Sequence, residues 1–216
     1  MLRIECYPLG ELAANCYFVF DEEAGVSFIV DMGAPSEKVI GRINEFGGDR
    51  LKYILLTHGH FDHIGNTAEL KKMYPDAQIV IGEKDSDFTD KDSLNLSVFF
   101  GLKNESFKAD ITVNDGDKLP FGNSFIEILS TPGHTAGGVC YKLGNYLFTG
   151  DTIMKCTTGR MDFPTGNMED MLRSAKKIAG LDGNLILLCG HGEKTTLEYE
   201  RMNNIAMRSH GYDDLY

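Results

Sequence analysis

Three histidines and one aspartate lie within six consecutive positions, directly after an apolar stretch that is typical of a buried strand. These residues are His58, His60, Asp62 and His63. Imidazole and carboxylate groups are ligands for zinc and related divalent metals. Three further candidates, His134, Asp151 and His191, each follow apolar sequence where a strand is expected to end. The sequence therefore predicts a metal site built at the ends of several strands.

A structural role must be weighed against metal binding, because a single histidine near a strand end is more often a hydrogen-bonded structural residue than a ligand. The grouping favours metal binding. Five of the six histidines lie either in the first cluster or in glycine-flanked segments, where the backbone can turn sharply and direct a side chain inward. The sixth, His210, is expected to be a surface residue.

The spacing of the candidate ligands predicts two metal ions. In extended backbone the side chains at positions i and i+2 point the same way, so His58 and His60 can bind one ion, whereas Asp62 and His63 begin the next helix and face elsewhere. The expected division is His58, His60 and His134 on one ion, Asp62, His63 and His191 on the other, and Asp151 as a bridge. Open coordination positions would remain, which is typical of a catalytic rather than a structural site.

These motifs resemble those of the metallo-beta-lactamase superfamily, and Thr-His-Gly-His-Phe-Asp-His-Ile-Gly at positions 57–65 is similar to its glyoxalase II branch. The resemblance covers nearly the whole chain. It includes Asp31-Met32-Gly33, Thr131-Pro132-Gly133-His134-Thr135, Phe148-Thr149-Gly150-Asp151-Thr152 and Gly190-His191-Gly192 in the family's order. The segment 159–164 is similar to short, single-domain glyoxalase II-like hydrolases. The resemblance implies the same seven metal ligands.

The resemblance also implies a hydrolase that acts on an anionic thioester, with S-lactoylglutathione as the substrate. Water that bridges two divalent ions loses a proton near neutral pH, so a metal-bridging hydroxide is the expected nucleophile. We expect Asp62 to orient this water and Asp31 to fix a ligand or its loop, although Asp31 could instead be a polar strand terminator. Zinc is the expected metal, with iron and manganese as alternatives.

Arg160 is the candidate for substrate binding. It lies nine residues beyond Asp151, where a basic residue of the resembling glyoxalases contacts a glutathione carboxylate. A guanidinium suits this task because its paired N–H groups match the two oxygens of a carboxylate. A salt bridge between Arg160 and Asp162 is the alternative.

Three other functions are compatible with these residues. A persulfide dioxygenase would bind one iron through His58, His134 and Asp151 and leave the other histidines unused. A lactonase or beta-lactamase would use the same two-metal hydroxide on a cyclic ester or amide. A non-catalytic metal-binding or interaction protein is the third possibility, and the open coordination positions count against it.

The composition fits one enzyme domain over residues 1–216. The net charge of -11 disfavours nucleic acid and anionic membranes as partners, while two divalent ions would make the site itself positive. The start of the chain lacks the hydrophobic region of a secretory signal, and the five cysteines show no paired spacing, so a cytoplasmic protein with reduced thiols is expected. Cys189 is expected to be a small buried residue rather than a nucleophile.

The elements that must position the ligands are short strands and amphipathic helices. Strands are predicted over 4–7, 16–20, 26–30, 53–56, 125–129, 139–143, 146–148 and 185–188, with helices from Ser36, over 64–73 and from Asn167. This pattern predicts an α/β fold, the αββα sandwich of two mixed sheets with helices on the outer faces. The polar stretch 85–110 is expected either to form a lip over the site or to be a surface segment anchored by Phe99 and Phe100 in the core.

Overall fold

The computed structural model describes residues 1–208 and contains two six-stranded β-sheets, so the expectation for His210 lies outside the described residues. The strands of the first sheet, in spatial order, are β1 (Leu2–Leu9), β2 (Ala14–Asp21), β3 (Val26–Val30), β4 (Leu51–Leu55), β5 (Gln78–Gly82) and β6 (Ile111–Val113). Its first three strands are antiparallel neighbours, and β3 to β6 run parallel to one another.

The second sheet consists of β7 (Lys118–Phe121), β8 (Ser124–Ser130), β9 (Val139–Leu143), β10 (Tyr146–Gly150), β11 (Ile186–Cys189) and β12 (Thr195–Thr196), which neighbour one another in chain order. Only β10 and β11 pair in parallel. Strands β8, β10 and β11 therefore point the same way, and their carboxyl ends meet at one edge of the sheet.

The helices cover the outer faces of the two sheets. They are α1 (Glu37–Phe46), α2 (Phe61–Ile64), α3 (Thr67–Met73), α4 (Met168–Ala179), α5 (Leu197–Asn203) and α6 (Ile205–Arg208). Apolar side chains of α1 and α3 pack on the first sheet, and those of α4, α5 and α6 pack on the second. Ser36 and Asn167 cap α1 and α4, as their sequences predict. The predicted αββα sandwich is confirmed.

The central core lies between the sheets, where alternate residues of both sheets point inward. Phe148 of the second sheet contacts Tyr17 and Phe28 of the first edge-to-face, with ring centroids 5.5 and 5.8 Å apart. Close to the edge that carries the site, the buried Tyr141 hydroxyl donates to the Leu56 carbonyl over 2.8 Å. These contacts fix the position of one sheet relative to the other.

The predicted helix over 64–73 is wrong in its limits. The chain forms α2 and α3 separately, because the Asn66 N–H donates to the Met32 carbonyl rather than continuing the helix. A Cβ at Gly65 would lie 2.4 Å from the Gly33 carbonyl oxygen, so the backbone of this turn packs directly against the loop after β3. The helix is therefore interrupted by a tertiary contact with that loop, and the local sequence does not predict such a contact.

Phe99 and Phe100 do not anchor the segment 85–110 in the core, whereas Phe88 of the same segment is buried. The side chains of Phe99 and Phe100 are 73% and 50% exposed, and 3₁₀ turns at Glu83–Thr89 and Ser97–Phe100 replace longer regular structure. Leu96 and Phe100 instead line the cavity over the candidate ligands, which supports the alternative expectation of a lip. Within residues 1–208, no helix has both the length and the apolar composition needed to cross a membrane.

Candidate metal centre

All seven predicted metal ligands meet at the edge where the carboxyl ends of β4, β8, β10 and β11 converge. Five of them, His58, His60, His63, His134 and Asp151, are buried, and Asp62 and His191 are partly exposed. Three overlapping sets have ligand atoms within 4.8 Å of one another: His58, His60 and His134; His58, His63 and Asp151; and Asp62, His63 and His191. The first and third sets are those expected from the spacing.

Ring nitrogens of different histidines face one another across the centre. Nδ1 of His60 lies 2.8 Å from Nε2 of His134, and Nε2 of His63 lies 3.3 Å from Nε2 of His191. Two neutral imidazole nitrogens that present lone pairs to each other repel unless a proton or a cation lies between them. Each pair of nitrogens can share a proton or act together as ligands of one cation.

Asp151 lies between the two outer sets of ligands. Its Oδ1 is 3.6 Å from Nε2 of His63, and its Oδ2 is 3.5 Å from Nε2 of His134 and 3.7 Å from Nε2 of His191. One carboxylate thus reaches histidines of both sets. This placement suits a bridging ligand.

Four of the five histidines have their outward ring nitrogen held by a protein oxygen. The contacts are His58 Nδ1 with Thr57 Oγ1 at 3.1 Å, His63 Nδ1 with Asp31 Oδ2 at 3.0 Å, His134 Nδ1 with the Arg160 carbonyl at 2.6 Å and His191 Nδ1 with the Leu12 carbonyl at 3.1 Å. Such outer hydrogen bonds fix the tautomer and the orientation of a metal-binding imidazole. The inner nitrogens are consequently left free to bind.

Asp31 organises one side of the centre from behind the ligands. Its carboxylate accepts hydrogen bonds from the Thr57 N–H at 2.8 Å, from the Thr57 hydroxyl at 2.6 Å and from Nδ1 of His63. Its backbone has φ 54°, a left-handed conformation that non-glycine residues adopt at a cost. This geometry agrees with the expectation that Asp31 fixes a ligand and its loop.

The residues of the centre fit divalent cations. Nε2 of His58 and Oδ1 of Asp151 are buried and have no hydrogen-bond partner among the described residues. Buried polar atoms without a partner are costly, and both of these are metal-ligand atoms. A bound ion would satisfy them.

The charges of the centre also favour a cation. Burial lowers the pKa of His63, but the carboxylates of Asp62 and Asp151 and the hydrogen bond to Asp31 outweigh it and raise this pKa to about 10. Burial and the neighbouring imidazoles hold the pKa of His58 and of His60 well below the usual value. The side of the centre that contains His63 thus attracts positive charge strongly. On the side that contains His58 and His60, the imidazoles stay neutral and able to bind a metal.

Two glycines allow the backbone to approach the ligands. A Cβ at Gly190 would lie 2.1 Å from Oδ1 of Asp151, and one at Gly33 would lie 1.5 Å from the Asp62 carbonyl oxygen. Any side chain at either position would displace a ligand or its loop. The motifs that contain these glycines are therefore needed for space as well as for turning the chain.

Asp85 is a residue that the sequence did not single out. Its fully buried carboxylate accepts hydrogen bonds from the Gly59 N–H at 3.0 Å, from the Thr135 hydroxyl at 2.7 Å and from the Gly137 N–H at 2.7 Å. Burial raises the pKa of Asp85, and these hydrogen bonds oppose the rise. Asp85 thereby joins the loop of His58 and His60 to the loop of His134. The apolar run 79–81 before Gly82 was the available signal, since it marks the strand that Asp85 follows.

The Arg160 side chain is exposed and makes a bidentate contact with Asp162, with N–O distances of 2.7 and 2.6 Å. It also lies over the Phe163 ring, 4.0 Å from its centroid. Arg160 and Phe163 line the cavity of about 390 Å³ that contains the ligands. The salt bridge of the alternative expectation is present, and the guanidinium lies over the ring of a residue that lines the cavity.

Cys189 is buried directly before the turn that carries His191, and burial raises the pKa of its thiol to about 12. A thiol with so high a pKa is a poor nucleophile. All five cysteines are free thiols.

Known proteins share both the sequence and the fold. A family model for the metallo-beta-lactamase superfamily matches residues 9–191. Hydroxyacylglutathione hydrolase GloC of Haemophilus influenzae is 34% identical over 213 residues, which cover 96% of this chain and 99% of that protein. The B3 metallo-beta-lactamase BLEG-1 superposes with a TM-score of 0.87 at 28% identity, covering 96% of this chain and 100% of the other. TTHA1623, solved in a di-iron-bound form, has a TM-score of 0.81 at 27% identity and covers 93% and 98%.

Alanine at His63 tests the division of the ligands between two ions. We expect His63→Ala to lower the metal content of the purified protein by about one equivalent per chain, because the variant disables only one of the two outer sets. Elemental analysis with circular dichroism measures the stoichiometry and the fold. Glu69→Ala, at an exposed carboxylate on α3, is the control. An unchanged metal content would show that the second set holds no ion.

Asparagine at Asp85 tests whether this carboxylate positions the first set of ligands. An amide nitrogen would face at least one of the three donors, so Asp85→Asn should weaken metal binding about 10–100-fold and lower the free energy of unfolding by about 1–3 kcal/mol. Competition with a chromogenic chelator and urea denaturation measure the two effects. Asp87→Asn, on the same 3₁₀ turn but exposed, should change neither. Wild-type metal affinity in Asp85→Asn would refute the positioning role.

Proposed function

The chain belongs to the metallo-beta-lactamase superfamily, and from that premise we propose that it hydrolyses an anionic thioester such as S-lactoylglutathione with two divalent metal ions, preferably zinc. The observation that carries this proposal is the presence of two complete sets of ligands around Asp151. The 34% identity to a hydroxyacylglutathione hydrolase over nearly the whole of both chains supports the choice of substrate.

His58, His60 and His134 would hold one ion, Asp62, His63 and His191 the other, and Asp151 would contact both. When bound, two divalent ions acidify water and polarise a carbonyl group. The protein residues orient these groups: Asp62 is partly exposed at the cavity and can accept a hydrogen bond from the attacking water. Addition of water then releases a carboxylic acid and a thiol.

The second set of ligands favours hydrolysis over single-iron dioxygenase chemistry. A one-iron enzyme needs His58, His134 and Asp151 only, whereas here Asp31 and the Leu12 carbonyl also orient His63 and His191 toward the centre. Outer hydrogen bonds of this kind are expected where a residue ligates a metal. The same ligands could serve a lactonase or a beta-lactamase, so the choice of a thioester depends on the substrate contacts.

Arg160 is the residue we assign to the thiol half of the substrate. Its guanidinium lies at the cavity that contains the ligands, and Phe163 supports it from one side. Its exposed partner, Asp162, can be replaced by a substrate carboxylate at little cost, because exposed ion pairs contribute little to stability. A glutathione carboxylate would then meet the same two N–H groups.

Removal of the metal tests the hydrolase proposal. The purified protein should hydrolyse S-lactoylglutathione, lose this activity after exhaustive chelation, and regain it when zinc, manganese or iron is added. Release of the thiol, followed with a thiol-reactive dye, measures the rate. Full activity in thoroughly demetallated protein would contradict the proposal.

Alanine at Arg160 tests the assignment of the thiol half. We expect Arg160→Ala to raise KM for an anionic glutathione thioester about tenfold or more, because a charged bidentate contact is lost. A thioester with a neutral thiol half should show little change. Arg173→Ala, at another exposed arginine, controls for the loss of a surface charge. Equal losses on both substrates, or none on either, would make Arg160 structural.

A further inference from the structure

A second cavity adjoins the one that contains the metal ligands. Its volume is about 450 Å³, within the range of about 300–1,000 Å³ that is typical of small-molecule sites. Apolar side chains form most of its wall, among them Leu9, Leu12, Ala34, Pro35, Phe61 and Leu102. Leu12, Phe100 and Leu102 are 43%, 50% and 52% exposed. A cluster of large apolar side chains left open to water favours a bound apolar group.

The two cavities adjoin each other and share part of their lining. Leu12, Phe61, Asp62 and Phe100 line both of them. Phe61 directly precedes the ligand Asp62, and its ring contacts that of Phe100 with centroids 4.6 Å apart. The Phe61 N–H also donates to the Asn95 carbonyl over 2.8 Å, which holds the lip against α2. The apolar cavity therefore lies directly beside the candidate metal ligands, with Asp62 in the lining of both cavities.

The charges differ between the two cavities. Arg160 lines the cavity of the ligands and not the apolar one. In the apolar cavity the negative charge of Glu11 is offset by the positive charge of Lys103. Asp62, in the lining that the two cavities share, is the remaining charged residue of this lining. A thioester whose carbonyl lies at the ligands has two halves to place. With its anionic thiol half at Arg160, its acyl half is left to the apolar cavity.

We propose that this apolar cavity is the acyl-binding site and that the enzyme prefers thioesters with an apolar acyl chain of several carbons over the short, hydroxylated lactoyl group. This inference rests on the proposed thioester hydrolase function. Its physical basis is the removal of methylene groups from water, which strengthens binding roughly fourfold per methylene buried. A lactoyl group would leave most of the cavity unfilled.

A series of S-acylglutathiones tests the preference in the metal-loaded enzyme. From acetyl to octanoyl, kcat/KM should rise with chain length, and the octanoyl thioester should exceed S-lactoylglutathione about tenfold or more. In parallel, calorimetry should find that S-hexylglutathione, a thioether that cannot be hydrolysed, binds about tenfold or more tightly than S-methylglutathione. The second measurement does not depend on turnover.

Two matched variants locate the effect. Leu102→Glu places a charge in the cavity wall and should reduce both ratios, octanoyl to lactoyl and hexyl to methyl, about tenfold or more. Val98→Glu makes the same change at a side chain of nearly equal exposure, 54% against 52%, that does not line this cavity. It should leave both ratios as in the wild type.

The outcomes separate the inference from the proposed function. Hydrolysis of S-lactoylglutathione with no gain from longer chains would overturn the acyl site and leave the hydrolase intact. Chain-length-dependent binding that Leu102→Glu abolishes, without hydrolysis of any thioester, would overturn the hydrolase proposal and retain an apolar binding site. Equal effects of the two glutamate variants would overturn the assignment of this cavity.

Discussion

The candidate metal centre depends on the close packing of buried ligand atoms that the fold brings together. Inner nitrogens of His60 and His134 face each other at 2.8 Å, and Asp151 has a buried oxygen with no partner among the described residues. Without a cation this arrangement costs free energy, because buried polar atoms lose water and gain nothing in return. The surrounding hydrogen bonds hold the ligands in place against that cost. The centre is thus preorganised for metal, and metal binding should stabilise the fold.

The two-sheet topology explains how residues so far apart in sequence share one centre. His58 follows β4 of the first sheet, whereas Asp151 and His191 follow the parallel pair β10 and β11 of the second. The sheets are joined at this edge, where the Val139 N–H donates to the Thr57 carbonyl over 2.8 Å and Asn15 bonds the carbonyls of Cys189 and Gly192. A sliding movement of one sheet over the other would separate the ligands. The geometry of the site therefore depends on the packing of the core between the sheets.

Features with a local chemical signature were predictable from the sequence, and features set by distant contacts were not. Residue type and glycine context were enough to find the residues that meet at the candidate metal centre, and short apolar runs bounded by turn residues were enough to find most strands of the sandwich. The break between α2 and α3 was not predictable, because the loop after β3 causes it. Asp85 was missed because its three donors come from two distant loops. Phe99 and Phe100 read as core by composition, yet they lie exposed.

Arg160 shows why a substrate contact is harder to assign than a ligand. Its backbone carbonyl accepts the hydrogen bond from Nδ1 of His134 at 2.6 Å, while its side chain contacts Asp162 and the Phe163 ring. The main chain of this residue therefore belongs to the metal centre whatever its side chain does. Any residue with a carbonyl could orient His134, so that role does not explain an arginine here. In our proposal the substrate contact of Arg160 is made by the guanidinium, whose exposed partner Asp162 can be exchanged for another carboxylate.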